Sequence, residues 1–266
     1  MMQFKDFLEK IGVSKGQNII VHSSLRSINI AFNRISPNQV IDELKLAVTE
    51  HGSLIMPVFT YNFKKSNDGY ERFDAIHSTS KTGALTEVFR NCDDVNRTSS
   101  PTHSFAIWGK IKNEIKESNS PESPLGENSV LHWLAKNNNS FVLLLGTNFS
   151  SLSLIHYYEI LFKVPWHNYS PWDYMNVLPI GVNQLNEQNL IELPGCSKSF
   201  TSFESYLIEK YFVQNNFYKG MKYYFIDINK LTLEAEIFFK NNYKELLCKE
   251  GTCQACDSRR RKYLND

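Results

Sequence analysis

The feature that most constrains the fold is an alternation of apolar runs and an amphipathic helix near the start of the chain. Asn18-Ile19-Ile20-Val21-His22 reads as a buried strand, because it is apolar without an exposed face. Ser36-Pro37 then opens a helix with apolar residues at Val40, Ile41, Leu44 and Val48, and His51-Gly52 closes it. A second strand follows at Ser53-Leu54-Ile55-Met56-Pro57-Val58-Phe59. Strand, helix and strand joined by short connections predict a parallel βαβ unit in a layered α/β domain.

The rest of the chain extends that pattern. Phe141-Val142-Leu143-Leu144-Leu145-Gly146 is the clearest buried strand, and a helix is expected over Ser153 to Phe162. Helices are also expected at Phe4–Ile11, Thr82–Arg90, Val130–Ala135, Phe203–Val213 and Lys230–Leu247, with short strands at Phe105–Trp108 and Tyr223–Ile226. Trp166 to Asn189 has no clear period and reads as loop or short strands.

Composition narrows the function. The 266 residues carry 29 basic and 28 acidic side chains, so no net field draws the protein to nucleic acid or an anionic membrane. No apolar run is long enough to span a bilayer, and the first residues lack the apolar stretch of a signal peptide. A cytoplasmic location with reduced thiols is the expectation for the five cysteines. The run Arg259-Arg260-Arg261-Lys262 reads as a solvated tail. Cys253 and Cys256 have zinc-ligand spacing, and Cys248 could be a third ligand. No fourth ligand is evident, so metal-free tail cysteines are expected over about 245–266.

In open α/β sheets, ligands bind beyond the carboxyl ends of the strands. Three polar segments lie there: His22 to Arg26, Thr60 to Phe63, and Thr147 to Ser153. The last runs into the helix carrying His156 and Glu159, whose spacing of three puts them on one face. A carboxylate beside an imidazole suits a general base, and the same spacing also suits an ordinary surface pair. No G-x-S-x-G elbow, phosphate-binding loop or dinucleotide fingerprint is present, which removes the hydrolase serine and the common nucleotide sites.

Several blocks together decide between these readings. They are Val21-His22-Ser23-Ser24-Leu25-Arg26, Gly52 to Thr60, Phe73-Asp74, Thr82 to Arg90, Arg97 to Phe105, Ser123-Pro124-Leu125-Gly126, Leu143 to Gly146, and Ser153 to Glu159. In this order and spacing the chain resembles the aminoglycoside 3-N-acetyltransferase family. The resemblance implies a layered α/β/α sandwich around a mixed sheet, unlike the histone-acetyltransferase-like fold, and one acyltransferase domain over 1–266. It implies acetyl-coenzyme A or another acyl-coenzyme A as co-substrate and a small-molecule amine as acceptor. It implies His156 as base and Glu159 as its partner. It places His22, Ser23, Ser24, Leu25, Arg26, Met56, Pro57, Arg97, Pro101, Thr102, His103, Ser104 and Phe105 along the coenzyme. Tyr61, Asp74, Ser153 and Asp173 are expected at the acceptor, and a homodimer stays open.

The sequence also departs from the family. Ser100 stands where the family's R-S-x-H-P stretch has histidine, and Ser153 where it has threonine. The region after Glu159 resembles the family weakly, and the cysteine-rich tail is not a family feature. An aminoglycoside-like amine, or an amino sugar destined for a surface polysaccharide, is the expected acceptor. The reading from another class is a non-catalytic zinc or nucleotide-sugar binding module.

Overall fold

The computed structural model describes residues 2–67, 69–115, 122–168, 173–183, 186–191 and 194–264. Among these, a seven-stranded mixed sheet runs through the molecule. Its strands are β1 (Asn18–Ser23), β2 (Ser53–Pro57), β4 (Asn96–Arg97), β5 (Phe105–Gly109), β6 (Ser140–Leu145), β9 (Asn216–Tyr218) and β10 (Met221–Asp227). The order is β4-β5-β2-β1-β6-β10-β9. β1 is parallel to both β2 and β6, which gives the predicted βαβ unit. The outer pairings, β5 on β2 and β10 on β6, are antiparallel. A second, three-stranded sheet joins β3 (Phe63–Lys65), β7 (Val177–Val182) and β8 (Glu187–Asn189).

The central strands are apolar because helices cover both faces of the sheet. Ile19, Val21, Leu143 and Leu145 pack on the side of α1 (Phe4–Lys10), α3 (Pro37–Val48) and α4 (Ala84–Arg90). Ile20, Val142 and Leu144 pack on the side of α6 (Val130–Lys136), α7 (Leu154–Leu161), α8 (Thr201–Glu209) and α9 (Ile228–Asn242). The alternation follows the two-residue period of a strand. Fully burying each such side chain contributes about 1.5–3 kcal/mol. Two shorter helices, α2 (Leu25–Ala31) and α5 (Ile111–Glu114), and a last one, α10 (Gln254–Tyr263), complete the fold. Among the described residues no helix is long and apolar enough to cross a membrane.

Helix starts are sharply marked. Ser24, Ser36, Ser129 and Asp227 cap α2, α3, α6 and α9 with side-chain oxygens, and Pro37 occupies the first turn of α3. The strand β6 ends at Gly146, whose φ is +69°. A Cβ there would lie 2.2 Å from Cβ of Ser27, so only glycine lets α2 pack across the strand's end.

The tail differs from expectation. Arg259 is 1% exposed and Cys256 is fully buried, so the segment from Gln254 is a docked helix and not a solvated tail. Polar residues dominate α10, which leaves it no apolar stripe to reveal it in the sequence. Its anchors are a buried cation and cysteine side chains.

Candidate active site

β1, β2 and β6 end side by side, and the polar segments beyond them meet in one cleft. The cleft is open to solvent and spans about 780 Å³. His22 and Ser23 come from the end of β1, and Pro57, Phe59 and Tyr61 from the end of β2. Ser150 to Ser153 come from the turn after β6, and His156 from the first turns of α7. The three segments singled out beyond strand ends therefore converge, as strands running in parallel require.

The turn after β6 is fixed from behind. The Phe149 backbone N–H donates to Glu204 Oε2 at 3.1 Å, and Lys222 and Tyr224 also donate to that carboxylate. Ser153 occupies the N-cap position of α7, but its hydroxyl does not cap the helix. Ser153 Oγ and His22 Nε2 are both buried with no hydrogen-bond partner among the described residues. Unsatisfied buried polar atoms in a cleft mark a place where a ligand can supply the missing bonds.

His156 and Glu159 are not a surface pair. Their side chains are 11% and 4% exposed, and Nδ1 of His156 lies 2.8 Å from Oε2 of Glu159. The other carboxylate oxygen, Oε1, accepts a bond from Trp166 Nε1 at 2.9 Å. Arg259 Nη1 stands 3.5 Å from the same oxygen. Burial alone would raise the Glu159 pKa. Arg259, with the hydrogen bonds from His156 and Trp166, outweighs it and holds the group below the ordinary carboxylate value. An ionised carboxylate can only accept, so the proton between the two groups sits on Nδ1 of His156. In the neutral ring, Nε2 then carries the lone pair. Phe200 presses on the imidazole with ring centroids 4.8 Å apart, which fixes its plane.

The Arg259 guanidinium lies over Trp166, 5.7 Å from the ring centroid. Its other face meets Gly195, where a Cβ would come within 2.1 Å of Cζ. Trp166 and Gly195 carried no signal in the sequence, and Arg259 was read only as part of a solvated basic run. They lie in the weakly resembling region after Glu159, and only the fold brings them to the carboxylate.

The residues expected along the coenzyme divide into four groups. His22, Ser23 and Pro57 line the cleft. Leu25 and the exposed Arg26 line a separate shallow groove with Arg34, outside the His156 cleft. Ser24 caps α2. The side chains of the remainder are buried in the core or bonded within the loops. Met56 and Phe105 are core side chains on opposite faces of the sheet. The Arg97 guanidinium donates to Ser104 Oγ and to the carbonyls of Val58, Ala75 and Ser78, so it is an internal clamp of the loops. Ser104 Oγ also bonds the Val58 carbonyl, and the Pro101 carbonyl accepts the Thr60 hydroxyl at 2.6 Å. Thr102 and His103 are buried, their side chains bonded to each other at 3.0 Å. Burial lowers the His22 pKa to about 3. Burial, with a smaller contribution from nearby His156, lowers that of His103 to about 3 as well.

Of the residues expected at the acceptor, Tyr61 and Ser153 line the cleft beside His156. The Asp74 carboxylate instead accepts the backbone N–H groups of Ile76 and His77 at 2.8 Å, which shapes its own loop. Asp173 begins a single 3-10 turn, and its side chain lies outside the described residues. Lys81, Thr82, Thr86 and Ser197 also line the cleft and were not singled out from the sequence.

A layered α/β/α sandwich with a buried His–Glu pair beyond its parallel strands defines the architectural class. The family profile of the aminoglycoside 3-N-acetyltransferases matches residues 20–240, and the chain belongs to that family. It is 32% identical over 177 residues to the SPbeta prophage-derived aminoglycoside N(3')-acetyltransferase-like protein YokD of Bacillus subtilis (strain 168). That match covers 60% of this chain and 63% of the relative. The apoenzyme crystal structure of aminoglycoside acetyltransferase AAC(3)-IVa superposes with a TM-score of 0.77 at 22% identity, over 98% of this chain and 99% of that one. The AAC-IIIb binary complex with CoASH superposes with a TM-score of 0.70 at 16% identity, over 89% of this chain and 94% of that one.

Proposed function

We propose that the protein transfers an acyl group, acetyl in the first instance, from acyl-coenzyme A to an amine of an aminoglycoside-like acceptor. Family membership supports the reaction class. The observation that carries the mechanism is the buried, ionised Glu159 holding the Nδ1 proton of His156 at the wall of the cleft.

An amine at neutral pH is mostly protonated, and a nucleophile must shed a proton as it attacks. In this reading the amine nitrogen bonds the thioester carbonyl carbon, and its proton passes to Nε2 of His156. The carbon–sulfur bond breaks, and the imidazolium returns the proton to the departing thiolate. A positioned base of this kind contributes roughly 10²–10⁴-fold. Glu159 stabilises the imidazolium while it exists. The unpartnered His22 Nε2 and Ser153 Oγ offer polar contacts to the substrates in the same cleft. Transfer is direct, with no acyl-cysteine: none of the five cysteines lines the cleft.

Thiol release from acetyl-coenzyme A, measured across kanamycin- and gentamicin-type amines and nucleotide-linked amino sugars, tests the reading. Release that requires an aminoglycoside amine supports it. Release only with amino-sugar nucleotides would move the acceptor to surface-polysaccharide synthesis. Silence with every amine and every short acyl donor would overturn the assignment. Glu159→Gln should lose most of the rate and, by leaving the buried Arg259 without its counter-charge, also lower Tm.

A further inference from the structure

Four of the five cysteines meet at one point outside the cleft that the mechanism uses. Cys196 comes from the loop before α8, Cys248 from the end of the turn after α9, and Cys253 and Cys256 from the start of α10. Their four Sγ atoms all lie within 4.8 Å of one another. None is in a disulfide, and Cys196 Sγ stands 3.7 Å from Cys248 Sγ, well beyond the roughly 2.05 Å of a bonded pair. A tetrahedral ion with metal–sulfur bonds of about 2.3 Å separates its ligand sulfurs by close to that distance. Cys253 and Cys256 supply the C-x2-C spacing of a structural zinc site, and Cys196 is the fourth ligand that the spacing alone left missing.

The surroundings suit a cluster of thiolates. The Lys198 backbone N–H donates to Cys196 Sγ at 3.4 Å. Arg260 donates to the Cys248 carbonyl and pairs with Asp257 at 2.9 Å, placing a guanidinium beside the ligand loop. Asp257 also accepts the Gly251 N–H, which closes the turn between Cys248 and Cys253. Cys196 and Cys256 are buried, and Cys248 and Cys253 are partly buried, so the sulfurs form a closed set. Soft thiolates in a tetrahedral set select zinc over oxygen-seeking cations.

We infer that Cys196, Cys248, Cys253 and Cys256 bind one structural zinc ion that pins α10 to the loop before α8. Binding releases thiol protons and involves no electron transfer. The pinned elements are α10, whose Arg259 stands at the Glu159 carboxylate three residues after Cys256, and the loop whose Gly195, just before Cys196, packs against that guanidinium. The ion thus acts as a positioning device for the His156–Glu159 pair. That last link rests on the function proposed above, whereas the ion's presence does not.

Metal analysis of the full chain, purified without chelators, tests the site. About one zinc per chain is expected, unchanged in Cys92→Ser and lost in the double variant Cys253→Ser/Cys256→Ser. Cobalt(II) added to the stripped wild-type chain should give thiolate charge-transfer absorption and the intense d–d bands of a tetrahedral ion, which keeps the test independent of whether the double variant folds. A wild-type chain that holds no zinc and gives no cobalt–thiolate spectrum, or mass spectrometry that finds these cysteines paired as disulfides, would overturn the assignment. Removal of zinc should also lower Tm and kcat. Zinc content with no thiol release from any donor would leave the metal site standing and sink the acyltransferase reading.

Discussion

Arg259 Nη1 stands 3.5 Å from Glu159 Oε1, joining the last helix of the chain to the helix after the central strand. Both side chains are almost fully buried. An unpaired charge at either position would be strongly unfavourable, and Arg259 is the foremost influence that opposes burial and holds the Glu159 carboxyl below its ordinary value. The consequence reaches the cleft, because the same carboxylate fixes the proton on Nδ1 of His156.

Replacing Arg259 with Met should therefore do two things. It should destabilise the fold by about 3–5 kcal/mol, the usual cost of breaking a buried pair from one side. It should also raise the Glu159 pKa, since burial then acts with less opposition. The acid limb of the kcat–pH profile should move to higher pH, with kcat at neutral pH down on the order of tenfold, or about 1.4 kcal/mol of barrier. Arg259→Lys should recover part of both effects. A melting curve and a pH–rate profile for each variant check this. A purely structural role would lower Tm and leave the profile in place.

Gly195 permits the guanidinium to lie flat against the backbone. Gly195→Ala places a methyl where Cζ of Arg259 now sits, 2.1 Å away. The expected cost is about 1–3 kcal/mol of overpacking, read from urea or thermal unfolding. The loss should be smaller in an Arg259→Ala background, where the collision is gone. Equal losses in both backgrounds would contradict the stacking.

His22 and His103 give the fold a pH dependence of definite sign. Both are held neutral by burial, with pKa values of about 3 against about 6.5 in the unfolded chain. The unfolded state takes up protons first, so stability is full above about pH 6.5 and falls as pH drops toward 3. Two such groups imply a slope near 2.7 kcal/mol per pH unit over that window, at about 1.36 kcal/mol each. Tm should fall steeply between pH 6.5 and 5, and His103→Gln should flatten the fall by about half. A Tm independent of pH across that range would contradict the neutral, buried imidazoles.

Much of the frame was legible because it rests on periodicity. Ile19 to Val21 and Phe141 to Leu145 have no polar face, and both are central strands with helices on either side. The amphipathic spacing from Val40 to Val48 gives α3 as expected. Of the site, His156 and Glu159 were legible as a pair, since a helix fixes contacts at a spacing of three. Their support was not. Trp166 and Arg259 reach the carboxylate, and Gly195 reaches Arg259, through loops and a polar helix, where spacing carries no information about contact. Cys196 is separated from the other three cysteines by α8, β9, β10 and α9, so only the folded chain shows four sulfurs together. Arg97 was expected along the coenzyme only through the family resemblance, and its donors bind the carbonyls of Val58, Ala75 and Ser78. Met56 was likewise expected along the coenzyme through the resemblance, and the strand's alternation turns its side chain into the core.

The most direct measurement is the single-turnover rate of His156→Ala with saturating acetyl-coenzyme A and an acceptor amine, set beside its affinity for the coenzyme. The account predicts a fall of about a hundredfold or more, the size expected for losing a positioned base, with coenzyme binding unchanged. A variant that turns over at the wild-type rate would contradict it.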